Sequence, residues 1–314
     1  MTRRAVRQLR QASLSSSSSS FAQSQSTRLR RPLPRQDNSS SSLLRLVVRA
    51  GWNDVSFSPA KISSNKAVTS SPVGILPRPT LPACANSLTH PLTHPRTPSY
   101  IQVLNRLLVD IGAAAAAKYT VAGQFVQVKM EEEGKAGFFA IASAPDANNA
   151  GVIELLVKAS GDPAEAICAS GEGTGVLVSD VMGKGFPVDR VAGVGNVFVF
   201  CTGSGISPIK ALIESGTLQA GSGSRNVTLY YGAKNRDAMA YADLIGEWEK
   251  AGVKVVPVFS ETGVYVQDQF KKDGGVQDAD GSCAILCGQK EMAEAVKEIF
   301  AGAGVAEDRV LTNF

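Results

Sequence analysis

The residues in this 314-residue chain with the clearest capacity for chemistry lie in one stretch, Val197–Lys210. Val197, Phe198, Val199 and Phe200 form an unbroken apolar run, the composition of a strand buried on both faces of a parallel sheet. Thr202, Gly203, Ser204 and Gly205 follow with almost no side-chain bulk, and then Ile206, Ser207 and Pro208. Pro208 suits the first position of a helix and Ser207 its N-cap, with Ile209, Leu212 and Ile213 at helical spacing. A strand, a glycine loop and a helix start together make a seat for a pyrophosphate. The backbone can come close, and free N–H groups and the positive end of the helix dipole face the anion. The full Gly-x-Gly-x-x-Gly fingerprint is not present, because Pro208 stands where the third glycine would be. Taken alone, the stretch therefore also reads as a plain tight βα turn.

Cysteine and histidine narrow the chemistry by what their spacing excludes. Cys84, Cys168, Cys201, Cys283 and Cys287 contain no Cys-x-x-Cys and no four-cysteine ferredoxin pattern, so no built-in iron–sulfur cluster is expected. Cys283 and Cys287 point the same way from one strand but stand over ~12 Å apart, too far for a disulfide. Reduced thiols suit a plastid stroma or a cytosol. Both histidines, His90 and His94, fall in the near-repeat Leu88–Pro91 and Leu92–Pro95, with no third ligand for a metal.

The elements that position the glycine loop follow from rhythm. From Val197 onward, strands at Val197–Phe200, Val227–Tyr231, Val253–Phe259 and Cys283–Cys287 alternate with helices at Pro208–Ser215, Tyr241–Lys250, Tyr265–Lys272 and Glu291–Ala301. That is a doubly wound parallel-sheet domain, whose ligand lies at the carboxyl ends of its strands. Those ends carry Thr202–Gly205, Gly232-Ala233-Lys234, Ser260 and Gly288-Gln289, all small or polar. Upstream, Phe125–Met130, Phe138–Ser143, Val152–Lys158 and Val176–Val178 are short alternating strands, as in a small antiparallel β-barrel.

Charge separates the head from the body. Residues 1–50 hold ten arginines and one aspartate, a balance of +9, while the remaining 22 basic and 27 acidic residues give −5. A basic head on an acidic body argues against nucleic-acid binding by the body. The Arg- and Ser-rich head has the composition of a transit peptide, with Val47–Ala50 as a processing site and a mature start near Gly51. A basic arm that binds an acidic partner is the other reading. No apolar run reaches the ~18 residues of a membrane span. Residues 51–100 are broken by seven prolines from Pro72 to Pro98 and read as a linker, with Val55–Ser64 a candidate first barrel strand. Non-coding sequence carried into the reading frame is the alternative for about 72–100. The domain plan is thus a transit peptide over 1–50, this linker over 51–100, a barrel over 101–190 and an α/β domain over 191–314.

At Gly123-Gln124-Phe125, Phe139–Ser143, Gly203–Pro208, Tyr231–Lys234, Tyr265–Gln267 and Cys287–Met292 the chain resembles the ferredoxin–NADP reductase superfamily of flavoenzymes. It is most similar to the plastid oxidoreductases called fruit proteins, over about 105–314. The resemblance implies a flavin-binding barrel followed by a nicotinamide-binding domain. It implies that Thr202, Gly203, Ser204, Gly205, Ile206, Ser207 and Pro208 hold the nicotinamide cofactor's pyrophosphate and nicotinamide end. Gly232, Lys234, Ser260, Tyr265 and Gln267 would surround its adenosine half. Cys287, supported by Gly288, Gln289 and Met292, would stand by the nicotinamide and flavin rings as a hydride-aligning residue, or be a small packed thiol. Phe139, Ala140, Ile141, Ala142, Ser143, Val157 and Lys158 would line the flavin. Gly161, Ala164 and Glu165 begin a short helix whose amides would take the flavin pyrophosphate. Phe314 would be the aromatic over the flavin, or a frayed end.

Departures from the family pattern shape the expectation. Where relatives show Arg-x-Tyr-Ser, this chain has Gly137, Phe138, Phe139 and Ala140. Losing the arginine's charge-assisted bond costs about 1.5–3 kcal/mol of flavin affinity, roughly ten- to a hundredfold. After Ser260 stands Glu261, a carboxylate that repels a 2′-phosphate, while Lys234 and Arg236 attract one; the balance leans to NADH over NADPH. The function implied is a flavin-dependent oxidoreductase passing a hydride from NAD(P)H to FAD (FMN being the alternative) and electrons to an unidentified small-molecule or protein acceptor in the chloroplast stroma. Hydride transfer needs no general acid or base, which suits a chain with two histidines. A non-catalytic nucleotide sensor, or an electron-transfer subunit of an oxygenase or dehydrogenase, are the other readings.

Overall fold

Strand alternation builds the first half. The computed structural model describes residues 55–69, 103–145 and 151–313. The transit-peptide reading, the histidine repeat, Cys84 and Phe314 lie outside the described residues. The strands are β1 (Phe57–Ala67), β2 (Leu104–Asp110), β3 (Phe125–Lys129), β4 (Gly137–Ala140), β5 (Val152–Lys158) and β6 (Gly175–Ser179), with short helices α1 (Ala113–Ala116) and α2 (Ala164–Ala169) between them. They pair antiparallel in the order β4-β3-β6-β1-β2-β5. The ends of this order meet where Ile141 bridges Leu155 and the Ala142 amide donates to the Glu154 carbonyl at 2.7 Å, so the barrel nearly closes. Its interior is filled by Ile62, Leu107, Val109, Val126, Val128, Ile153, Leu155 and Val157.

The second half has a different period. Strands β7 (Asn196–Thr202), β8 (Asn226–Ala233), β9 (Val253–Phe259), β10 (Ser282–Cys287) and β11 (Val310–Leu311) alternate with α3 (Ile206–Glu214), α4 (Ile245–Lys250), α5 (Val266–Lys272) and α6 (Lys290–Gly302). All pairings are parallel, in the order β11-β10-β7-β8-β9. Both faces are buried, which explains the unbroken apolar runs. Val197, Val199 and Cys201 pack with α3 and Trp248 of α4 on one face. Phe200 packs with Phe270 of α5 and Phe300 of α6 on the other, with Phe198 beside them.

The barrel and the sheet share a core. Leu104 of β2 and Leu156 of β5 point away from the barrel interior into the cluster that holds Val199 and Ile209. β2 lacks a clean alternation because Leu104 on its outward face is buried while Asn105 on the other face is polar and only half-buried. Pro208 is not the first helical residue. A 3-10 turn over Gly203–Gly205 runs directly into α3 at Ile206, placing Ser207 inside the helix rather than at its cap.

Candidate functional site

The chain enters the sheet at β7, winds outward through β8 and β9, then crosses back to β10 on the other side of β7. The reversal of strand order opens a crevice at the carboxyl ends of β7 and β10, where open α/β sheets bind ligands. The register brings the expected residues onto that edge: Cys201 pairs with Cys287, Thr202 with Gly232, and Ala233 with Phe259.

Two glycines make the crevice possible. A Cβ on Gly205 would stand 2.4 Å from the Cys287 carbonyl oxygen, so the turn after β7 and the end of β10 touch backbone to backbone. Gly288 adopts φ +149°, and a Cβ there would meet Thr202 Oγ1 at 2.2 Å. Its turn is fastened by the Gln289 amide, which donates to Thr202 Oγ1 at 2.9 Å. Gly203 differs: its φ is +53° and the space where a Cβ would point is open. Met292, at 4% exposure, packs against the Gly288 turn.

Farther along the edge, the Glu261 amide donates to the Lys234 carbonyl at 3.0 Å, joining the ends of β8 and β9. Lys234, Arg236 and Glu261 are exposed there, and Ser260 is half-buried. Tyr265, 53% exposed, opens α5. Gln267, in the first turn of α5, has a buried Oε1 with no hydrogen-bond partner.

On the barrel side the expected residues divide. Phe139, Ala140 and Lys158 are half-buried, whereas Ile141, Ala142, Ser143 and Val157 are buried in the wall. Ser143 is committed to the fold: its carbonyl accepts from Tyr119 Oη at 2.7 Å and its hydroxyl accepts from the Glu154 amide at 3.1 Å. The expected phosphate turn at α2 is altered by Glu165, whose carboxylate accepts the Gly161 amide at 2.8 Å. That places negative charge where the resemblance implied an anion. Ala164 is half-buried beside it.

The sequence reading missed the group that ties the two sides together. Ser207 Oγ donates to the Ala140 carbonyl at 2.8 Å. One turn later, Lys210 Nζ reaches the Ala142 carbonyl at 3.3 Å, Glu154 Oε2 at 3.5 Å and Glu214 Oε2 at 2.7 Å. Glu154 also takes Arg106 Nη2 at 2.8 Å and the Tyr241 hydroxyl at 2.7 Å. Burial, then the charge of Glu154, raises the Tyr241 hydroxyl far above the usual phenol range. One signal was legible: Glu154 interrupts the apolar run Val152–Val157 with an acid, and a buried acid requires partners.

The thiols respond to the same burial. Cys287 is pushed up to about 12 by desolvation, Cys283 to about 12 and Cys168 to about 11; Cys201 is raised by burial and by neighbouring Cys287. Cys287 is therefore a neutral S–H at the crevice, not a thiolate nucleophile. An unfolded thiol ionises near 9 while these hold their protons, so their contribution to stability is complete below pH 9 and is lost as pH rises toward 12. The melting temperature should be flat from pH 7 to 8.5 and fall steadily above pH 9 in a thermal-shift series; a curve flat to pH 11 would contradict the burial of these groups. All four described cysteines are free. Among the described residues there is no cluster of three or more metal-ligating side chains, and no helix is long and apolar enough to cross a membrane.

Comparison with known proteins agrees with this arrangement. The family model described as the oxidoreductase NAD-binding domain matches residues 199–298. The fruit protein pKIWI502 of Actinidia deliciosa is 30% identical over 236 residues, covering 69% of this chain and 74% of that protein. Among solved structures, a ferredoxin NADP+ reductase from Neisseria gonorrhoeae with bound FAD and NADP superposes with a TM-score of 0.62 at 15% identity, covering 82% of this chain and 97% of that one. The Amycolatopsis cytochrome P450 reductase GcoB gives 0.55 at 22% identity, covering 67% and 64%.

Proposed function

The chain belongs to the ferredoxin–NADP reductase-like family of oxidoreductases, and we propose that it is a flavin-dependent enzyme that oxidises NAD(P)H through FAD and delivers electrons to a small-molecule or protein acceptor. One observation carries the reading: the Gly203–Gly205 turn meets Cys287 backbone to backbone, and the helix it starts is hydrogen-bonded to Ala140 of the barrel. Two ring-binding edges are thereby held side by side.

The residues present fit a nicotinamide dinucleotide. The open space at Gly203 and the Gly203–Gly205 turn, which no side chain caps, supply room and amide donors for a pyrophosphate. The fit to a flavin runs along the half-buried barrel edge at Phe139 and Ala140, while Glu165 occupies the Gly161 amide that the flavin pyrophosphate would take. When bound, the flavin supplies the chemistry, accepting a hydride from the nicotinamide and passing its electrons onward. The chain contributes alignment. Thr202 pins the Gly288–Gln289 turn, Ser207 holds α3 against the barrel, and neutral Cys287 offers a small polarizable wall without competing as a nucleophile.

The purified full chain, incubated with FAD and desalted, should be yellow and lose its visible absorbance when NADH is added without air. A chain that binds nicotinamide nucleotide but retains no flavin would favour the sensor reading instead.

We further propose NADH as the preferred donor. Glu261 is exposed on the turn joined to Lys234, so a 2′-phosphate would meet a carboxylate beside the lysine. Unit charges about 4 Å apart in water interact by about 1 kcal/mol, so Glu261 lowers the affinity for a 2′-phosphate roughly fivefold against the attraction of Lys234 and Arg236. Glu261→Arg should bring NADPH to parity or better in KM, and added salt should narrow the wild-type gap. Equal KM values in the wild type would remove the proposal. The basic head supports a plastid stroma as the location. Import into isolated chloroplasts with cleavage near Gly51 is the expected result, and exclusion from them the contrary one.

A further inference from the structure

Two carbonyls of the barrel edge, Ala140 and Ala142, are held by two residues on one face of α3, Ser207 and Lys210. Lys210 is 4% exposed and its ammonium has three donors, each with an acceptor: Ala142, Glu154 and Glu214. Glu154, 3% exposed on the outward face of β5, takes Lys210 and Arg106 on Oε2 and Tyr241 on Oε1. Tyr241 holds φ +57° while 3% exposed, a left-handed conformation that a bulky residue adopts only where its surroundings enforce it.

The rest of this seam is apolar, built on Leu104, Leu156 and Ile209. Apolar contact is non-directional and fixes area rather than register. Replacing a buried ion pair by apolar side chains is often neutral for stability, so stability alone does not account for burying Lys210 and Glu154 here. Directional bonds from one helix face to alternate carbonyls of one strand do fix a register.

We infer that Lys210, locked on Glu154, is a positioning residue that sets the separation between the barrel edge 139–143 and the turn 203–205. This rests on the reading of those two edges as the flavin and nicotinamide seats. Its chemistry is indirect: Lys210 touches neither ring, and a displacement of about 1 Å at reacting atoms is enough to lower a rate about a hundredfold.

The test compares the full chain with Lys210→Met, Lys210→Arg and the double variant Lys210→Met with Glu154→Leu. The double variant removes both buried charges, so it stays folded where the single variant fails to. In the FAD-loaded protein, the rate of flavin reduction at saturating NADH should fall ten- to a hundredfold in the double variant, with the NADH dissociation constant within threefold of wild type. Lys210→Arg should recover most of the rate, because it keeps a cation between Ala142 and Glu154. In the chain without flavin, amide hydrogen exchange at 139–143 and 203–207 should rise about tenfold while β1 and β2 are unchanged. A double variant reduced as fast as wild type, or with unaltered exchange at both segments, overturns the proposal while leaving the reading intact. A wild-type protein that neither NADH nor NADPH reduces overturns the reading and the proposal with it.

Discussion

Replacing Gly205 by alanine should cost about 3 kcal/mol of stability and remove measurable NAD(P)H binding. The added Cβ stands 2.4 Å from the carbonyl oxygen of Cys287 and 2.8 Å from its carbon. Both are backbone atoms of a fully buried strand, so no side-chain rotation relieves the overlap, and overpacking of this kind costs about 1–3 kcal/mol or more. The turn after β7 and the end of β10 must separate, and their meeting is what forms the crevice. Gly203→Ala is the control. Its φ of +53° costs about 1–2 kcal/mol in strain, but the Cβ enters open space, so the fold should tolerate it while the dinucleotide loses room. Thermal unfolding and isothermal titration with NADH on the two variants separate these effects. Wild-type affinity in Gly205→Ala would show that the two strand ends are not joined as described.

Phe270→Ala should be the most destabilising single truncation on the opposite face of the sheet, by about 3–5 kcal/mol. The ring lies 4.9 Å from Phe198, 5.1 Å from Phe200, 5.4 Å from Tyr230 and 5.5 Å from Phe300, centroid to centroid. Edge-to-face and stacked pairs of this kind add to the area they bury. This cluster is on the sheet face away from the barrel seam, so the variant should unfold at lower urea yet bind NADH with near-native affinity at low temperature. A shift under about 1 kcal/mol in the urea midpoint analysis would mean the five rings do not form one packed unit.

The parts of the molecule that the sequence made legible are those where a local pattern and a global need coincide. β9 was placed at its observed limits because Val253–Phe259 is β-branched and bounded by glycine and a polar turn. The strand ends on one edge followed from parallel topology alone. Ser207 and Pro208 misled for the opposite reason: their types suit a helix start, yet the glycines already turn, so the helix begins at Ile206 and the serine is free to bond Ala140. Lys210, Tyr241 and Arg106 were unreadable because their significance is pairwise and long-range. Tyr241 is 87 residues from Glu154, and no one-dimensional period links them. Gly205 illustrates a mixture: it was expected to admit a ligand, and its observed duty is to admit the backbone of Cys287.

The most direct measurement is anaerobic rapid mixing of the FAD-loaded full chain with NADH carrying deuterium on one or the other face of the nicotinamide C4. If the two rings are aligned by the crevice at Gly205 and Cys287, the visible flavin absorbance bleaches, and deuterium slows the bleaching on one face only. Bleaching slowed equally by both, or a flavin left oxidised by NADH and NADPH alike, would contradict the account.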